Sequence, residues 1–115
     1  MEGIELRSDD LANGWVSIAV LGEIDLATVE SLEGAINEVF DMAEKDLVVD
    51  LTGSSFMDST GLKALVMAHR RFDTAGRGFA LAVSGGPVSR LIDLSGLSSS
   101  IRTVESVEEL GAVGS

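Results

Sequence analysis

The chain has 115 residues, 45% of them hydrophobic and 4% aromatic, which suits one mostly aliphatic core and argues against disorder. Its 8 basic and 19 acidic residues give a net charge of −11, which argues against nucleic acid or an anionic membrane surface as partner and favours a basic protein surface. With no cysteine, disulfides, thiolate metal sites and a cysteine nucleophile are excluded.

The first residues, Met1 to Arg7, lack the basic start and apolar run of a signal peptide, and no window approaches the ~18 apolar residues of a membrane span. The expectation is one cytoplasmic domain over residues 1–115. Residues 3–7 read as a short strand, and Asp9, Asp10, Asn13 and Gly14 supply turn chemistry. Trp15 to Leu21 has strand composition, with Val16, Ile18 and Val20 on one face, so the two pieces predict a hairpin. Gly22-Glu23-Ile24-Asp25 is expected to break that strand, with Asp25 capping the next helix. From Val29 the period is helical: Val29, Leu32, Ala35, Ile36, Val39, Phe40 and Ala43 form one stripe, opposite acidic and polar positions.

Leu47 to Leu51 reads as a buried central strand, and Thr52-Gly53-Ser54-Ser55 as a loop. A second helix then runs to about Ala75 and closes at Gly76, with Leu62, Leu65, Val66, His69 and Phe72 on its stripe. Lys63, Ala64, Met67, Arg70 and Arg71 fall elsewhere on that helix. Gly78 to Val83 is another buried strand, Pro87 opens a short helix stopped by Gly96, and Ser100 to Val104 is a last strand. Ser106 and Glu109 have capping-box spacing before a terminal helix that frays from Gly111 through Gly114-Ser115. The order β-β-α-β-α-β-α-β-α predicts an α/β fold: a mixed, mostly parallel sheet of four to five strands with about four helices. The loops at Gly22–Asp25 and Thr52–Gly61 both follow strands and should share one end of the sheet.

The densest chemistry lies in Phe56-Met57-Asp58-Ser59-Thr60-Gly61-Leu62, at a strand-to-helix junction. Asp58 or Ser59 is an ordinary helix cap on one reading. On the other, Ser59 is an exposed hydroxyl able to carry a phosphate near unpaired N–H groups and the positive end of the helix dipole. Gly61 in the first turn weakens the helix and suggests an open start where another molecule approaches closely. Within the chain nothing activates Ser59 as a catalytic nucleophile. His69, the one histidine, is about ten residues along the same helix, roughly 15 Å by helix rise. It reads as a partly buried structural residue. No metal-ligand set, phosphate-binding glycine loop or G-x-S-x-G is present.

The stretch Leu47–Leu65, with its Asp58-Ser59-Thr60-Gly61-Leu62 core, closely resembles the anti-sigma-factor antagonists of the STAS domain family. Leu21-Gly22-Glu23-Ile24-Asp25, followed by an amphipathic helix, resembles that family's second hallmark. The resemblance implies a non-enzymatic switch that binds an anti-sigma factor when unphosphorylated and so releases the sigma factor. It implies phosphorylation of Ser59 by that partner, a serine kinase holding ATP and Mg²⁺, and reversal by a PP2C-type phosphatase. The expectation is also of no cofactor in the chain itself and of a monomer when free. Gly22, Glu23, Asp25, Asp58, Ser59, Thr60 and Gly61 are then the expected contact surface; Lys63, Ala64 and Met67, farther along the helix and off its apolar stripe, are expected contacts that the resemblance does not fix. A STAS-type module that senses a nucleotide, serves a transport system or acts as a scaffold is the alternative.

Overall fold

The computed structural model describes residues 3–11, 14–42 and 44–113. The expected roles of Asn13 in a turn, Ala43 on a helix stripe and Gly114-Ser115 in a frayed end fall outside the described residues.

Strands β1 (Ile4–Asp10) and β2 (Trp15–Ile24) form the antiparallel hairpin, from Ile4 opposite Gly22 to Asp10 opposite Val16. β1 is longer than expected. Asp9 and Asp10 continue the ladder instead of turning, since an edge strand keeps acids in solvent. β2 is longer too: Gly22-Glu23-Ile24 does not break it, because a second strand pairs with its tail. That strand is β4. Strand β3 (Asp46–Asp50) runs parallel to the first half of β2, with Trp15 opposite Asp46 and Ala19 opposite Asp50. After an interruption at Leu51–Gly53, β4 (Ser54–Met57) runs parallel to the tail, with Ile24 opposite Met57 and a register shift between Gly22 and Glu23. Strands β5 (Phe79–Ala82) and β6 (Arg102–Val104) complete the order β1-β2-β3-β5-β6, all parallel beyond the hairpin. Six strands are thus described, one more than the upper expectation; the supposed loop at Ser54-Ser55 is the extra one.

The helices are α1 (Val29–Met42), α2 (Ser59–Thr74), α3 (Gly86–Leu94) and α4 (Glu108–Val113), with a 3₁₀ turn at Leu97–Ser99. Strand alternation sorts the core into two layers. Ile18, Val20, Leu47, Val49 and Leu81 face one side, against Leu32, Ile36 and Val39 of α1, Leu65 and Phe72 of α2, and Val88 and Ile92 of α3. Val48, Ala80, Ala82 and Val104 face the other, where small side chains leave room for Leu110 of α4. The expected capping box does not close. Glu109 accepts from the backbone N–H of Glu105 at 3.0 Å, not from that of Ser106, and the helix continues past Gly111 to Val113.

One corner ties α1 to α2. The Arg77 guanidinium lies 4.5 Å from the Phe40 ring centre and 4.6 Å from that of Phe72. It donates to the carbonyls of Val39 and Phe40, free acceptors in the last turn of α1, and to that of Lys45 just before β3. A cation at a helix C-terminus also opposes the negative end of its dipole.

Candidate functional site

β2 and β4 end side by side, so both Ser59 and the Gly22–Asp25 segment lie at one end of the sheet, as the element order predicts. The N–H of Asp58 donates to the carbonyl of Ile24 at 3.1 Å, which joins the two segments directly. Each then turns toward a helix on the same layer.

The first turn is built by Asp25 and Thr28. The Asp25 carboxylate accepts from the N–H groups of Ala27 at 3.0 Å and Thr28 at 3.2 Å. Buried Thr28 accepts from the Asp25 N–H at 2.9 Å, and its hydroxyl donates to the Glu23 carbonyl at 2.7 Å. Asp25 therefore caps a turn ahead of the helix, which starts at Val29, and is not itself the residue before the first helical turn. This closed network holds Leu26 outward at 78% exposure. Phe56, opposite Glu23 in the β4 ladder, is 45% exposed. Leu26 is not among the expected contact residues, and Phe56 figures there only as the first residue of the motif stretch. The available signals were an apolar residue inside a turn motif, and an apolar residue of opposite strand parity to buried Met57.

The second turn is built by Asp58. Its backbone is extended (φ −107°, ψ −169°), and its carboxylate accepts from the N–H groups of Thr60 at 2.9 Å and Gly61 at 3.4 Å. The Thr60 hydroxyl donates to the same oxygen. That hydroxyl, helped by the two backbone donors and opposed by desolvation, holds the Asp58 carboxyl below its ordinary value of 3.8. Ser59 takes the first helical position. It is exposed, and no other described residue takes its hydroxyl proton.

Two expectations about this helix need correcting. Gly61 does not hold the start open for a visitor. It is buried, and a Cβ there would lie 2.5 Å from Met57 Cγ and 2.8 Å from Ile24 Cγ2. The missing side chain lets α2 press onto the strand ends. Ala64 does not point away from the core either; it is 5% exposed and lines a groove with Ile36, Asn37 and Met67, because α1 gives α2 a second buried side. Gly22 also serves internal packing: at φ 105° its Cβ would lie 2.2 Å from the Gly3 carbonyl oxygen, where β1 crosses. Glu23, Lys63 and Met67 are exposed, Met67 at 56%. His69 is half-buried, its ring centre 6.0 Å from that of Phe79, outside this cluster.

A family model described as "STAS domain" matches residues 8–110. The chain belongs to the STAS domain family. Within that family it is 33% identical over 97 residues to the anti-sigma-F factor antagonist RsfB of Mycobacterium tuberculosis, covering 84% of this chain and 79% of RsfB. The crystal structure of an anti-sigma factor antagonist from Mycobacterium paratuberculosis superposes with a TM-score of 0.82 at 30% identity, covering 97% of this STAS domain and 95% of that chain. The Bacillus cell fate determinant SpoIIAA, solved in its phosphorylated form, shares the fold, with a TM-score of 0.69 at 22% identity over 92% of this chain and 96% of that one.

Proposed function

We propose that this STAS domain is an anti-sigma-factor antagonist switched by phosphorylation of Ser59. The carrying observation is an exposed serine with an uncommitted hydroxyl at the first position of α2, beside the rigid Glu23–Thr28 turn. Unphosphorylated, the surface around Ser59, Leu26, Lys63 and Met67 binds an anti-sigma factor that is also a serine kinase. The partner brings ATP and Mg²⁺, and a PP2C-type phosphatase reverses the modification. The rim of Glu23, Asp25 and Asp58 favours a basic partner surface, and a phosphate adds roughly −1.5 to −2 charges to it. The helix start tolerates that anion, so the switch acts on the partner and not on the fold. The relatives that carry the antagonist name, and a neighbour solved in phosphorylated form, support this reading.

The test is incubation with a purified anti-sigma-factor kinase and ATP·Mg²⁺, followed by mass spectrometry and calorimetric titration. Phosphate is expected at Ser59 alone. Ser59→Ala should take none and still bind, and Ser59→Glu should bind more weakly. Phosphate on another residue, or none in the native protein, overturns the assignment.

A further inference from the structure

Two hydroxyls stand side by side at the start of α2, yet their situations differ. Ser59 is exposed and uncommitted, whereas Thr60 is half-buried and donates its proton to Asp58 Oδ1. We propose that Asp58 selects the phosphate acceptor: by holding the Thr60 hydroxyl, it leaves Ser59 as the one reactive oxygen and keeps Thr60 as a latent second site. This rests on the reading of Ser59 as a substrate hydroxyl.

Phosphoryl transfer sets the requirement. A new Oγ–P bond forms as the bond from the γ-phosphorus of ATP to its bridging oxygen breaks; ADP leaves, and the hydroxyl proton passes to a base of the kinase. The attacking oxygen must lie in line with that bond and turn its proton to the incoming base. Ser59 meets this by rotation about χ1 alone. Thr60 does not: its proton is engaged by Asp58, and its hydroxyl must give up that bond before it can turn outward. Turning it outward also strips Asp58 of one of its three donors. Nor does Asp58 serve Thr60 as an activating base, since those donors stabilise its charged form. Asp58 is thus a positioning residue, acting on the reaction through Thr60.

The experiment uses whichever anti-sigma-factor kinase phosphorylates the native protein, with site-resolved mass spectrometry. Ser59→Ala should stay unphosphorylated. So should Ser59→Ala with Thr60→Ser, because a serine hydroxyl makes the same bond to Asp58; this arm separates Asp58's hold from a kinase preference for serine. Ser59→Ala with Asp58→Gly removes the acceptor, while glycine is tolerated as a helix cap. Phosphate should then appear at Thr60, about tenfold or more above the detection limit at which Ser59→Ala stays silent, the scale of releasing a charge-assisted hydrogen bond. Asp58→Asn in the same background restores a carbonyl acceptor and should return Thr60 to silence, which a loss of charge alone would not do. Circular dichroism verifies that each variant is folded. Phosphate at position 60 in either of the first two variants overturns the proposal, as does silence of a folded Asp58→Gly variant. If that variant does not fold, the Thr60→Ser arm still decides between supporting and overturning it. No phosphate on the native protein with any such kinase would instead remove the reading of Ser59 itself.

Discussion

Two of the helices that follow parallel strands, α2 and α3, begin differently. α2 starts after β4 with an aspartate whose carboxylate holds two backbone N–H groups and one hydroxyl, and a buried glycine that seats the first turn on Ile24 and Met57. α3 starts after β5 from Gly85 (φ 70°) and Gly86 (φ 81°), with no side-chain cap bond and a proline at its opening. Both junctions carry a nearby exposed serine, Ser59 in one and Ser84 in the other. At the α3 junction the backbone does the work and no side chain is committed. At the α2 junction both chain neighbours of Ser59, Asp58 and Thr60, are committed to each other and Ser59 is not. The difference teaches that the two junctions are not equivalent: the proposed switch rests on a hydrogen-bonded frame around one uncommitted hydroxyl, and not merely on a hydroxyl near a helix start.

The largest expected effect comes from breaking the seat of α2. Gly61→Ala places a Cβ against Met57 and Ile24 and should destabilise the fold by about 1–3 kcal/mol, as overpacking does. The matched change at α3, Gly86→Ala, meets nothing within 4 Å and suffers only its positive φ, roughly 1 kcal/mol. Gly34→Ala, in the open middle of α1 with nothing within 4 Å, should stabilise by up to about 1 kcal/mol through helix propensity. Chemical denaturation of the three variants ranks them. An order with Gly86→Ala as the most damaging would mean that the α2 junction is not the tightly seated one.

These contrasts mark what was legible from sequence. The α1 stripe of Leu32, Ile36 and Val39 and the apolar run from Leu47 to Val49 announce themselves because one burial direction dominates each. The Asp58-Ser59-Thr60-Gly61 junction is legible as a motif, and its placement beside Gly22–Asp25 follows from element order alone. β4 was not legible, since Ser54 and Ser55 have no strand preference and extend only because the tail of β2 pairs with them. Ala64 misled because one helical stripe describes one buried side, while α2 is covered by both the sheet and α1. Gly61 misled for a related reason: a glycine in a helix signals close approach, but sequence does not say whether the neighbour belongs to another molecule or to the same chain.

A smaller effect separates the junctions by pH. The Thr60 hydroxyl and its backbone helpers depress the folded Asp58 value below 3.8, so the charged carboxylate favours the folded state. That contribution is fully present above the unfolded value and is lost as pH falls from it through the lower folded one. Asp58→Asn should therefore melt below the native protein at neutral pH, with the gap closing as pH falls below about 4. The difference between the two proteins cancels the titration of the remaining acids. No such closing gap is expected for Ser84→Ala at the α3 junction, where no carboxylate caps the helix. A gap that widens in acid would reverse the sign assigned to Asp58.

The smallest effect tests what the α2 frame does once it carries a phosphate. Lys63 lies four residues after Ser59 on the exposed side of the same helix, the favourable order for an acid followed by a base. Among the described residues Lys63 has no ion-pair partner in the unphosphorylated protein, so Lys63→Ala should change stability by less than about 0.5 kcal/mol. Phosphorylated, Ser59 would bring an anion within reach of the Lys63 ammonium, and the same substitution should cost roughly 0.2–0.5 kcal/mol more, or about 2 °C in melting temperature at low salt. Added salt should erase that increment, because the pair is exposed. If Lys63→Ala were equally neutral in both forms at low salt, the phosphate would be held by the helix start alone. Lys63 would then be left to the partner's side of the interface.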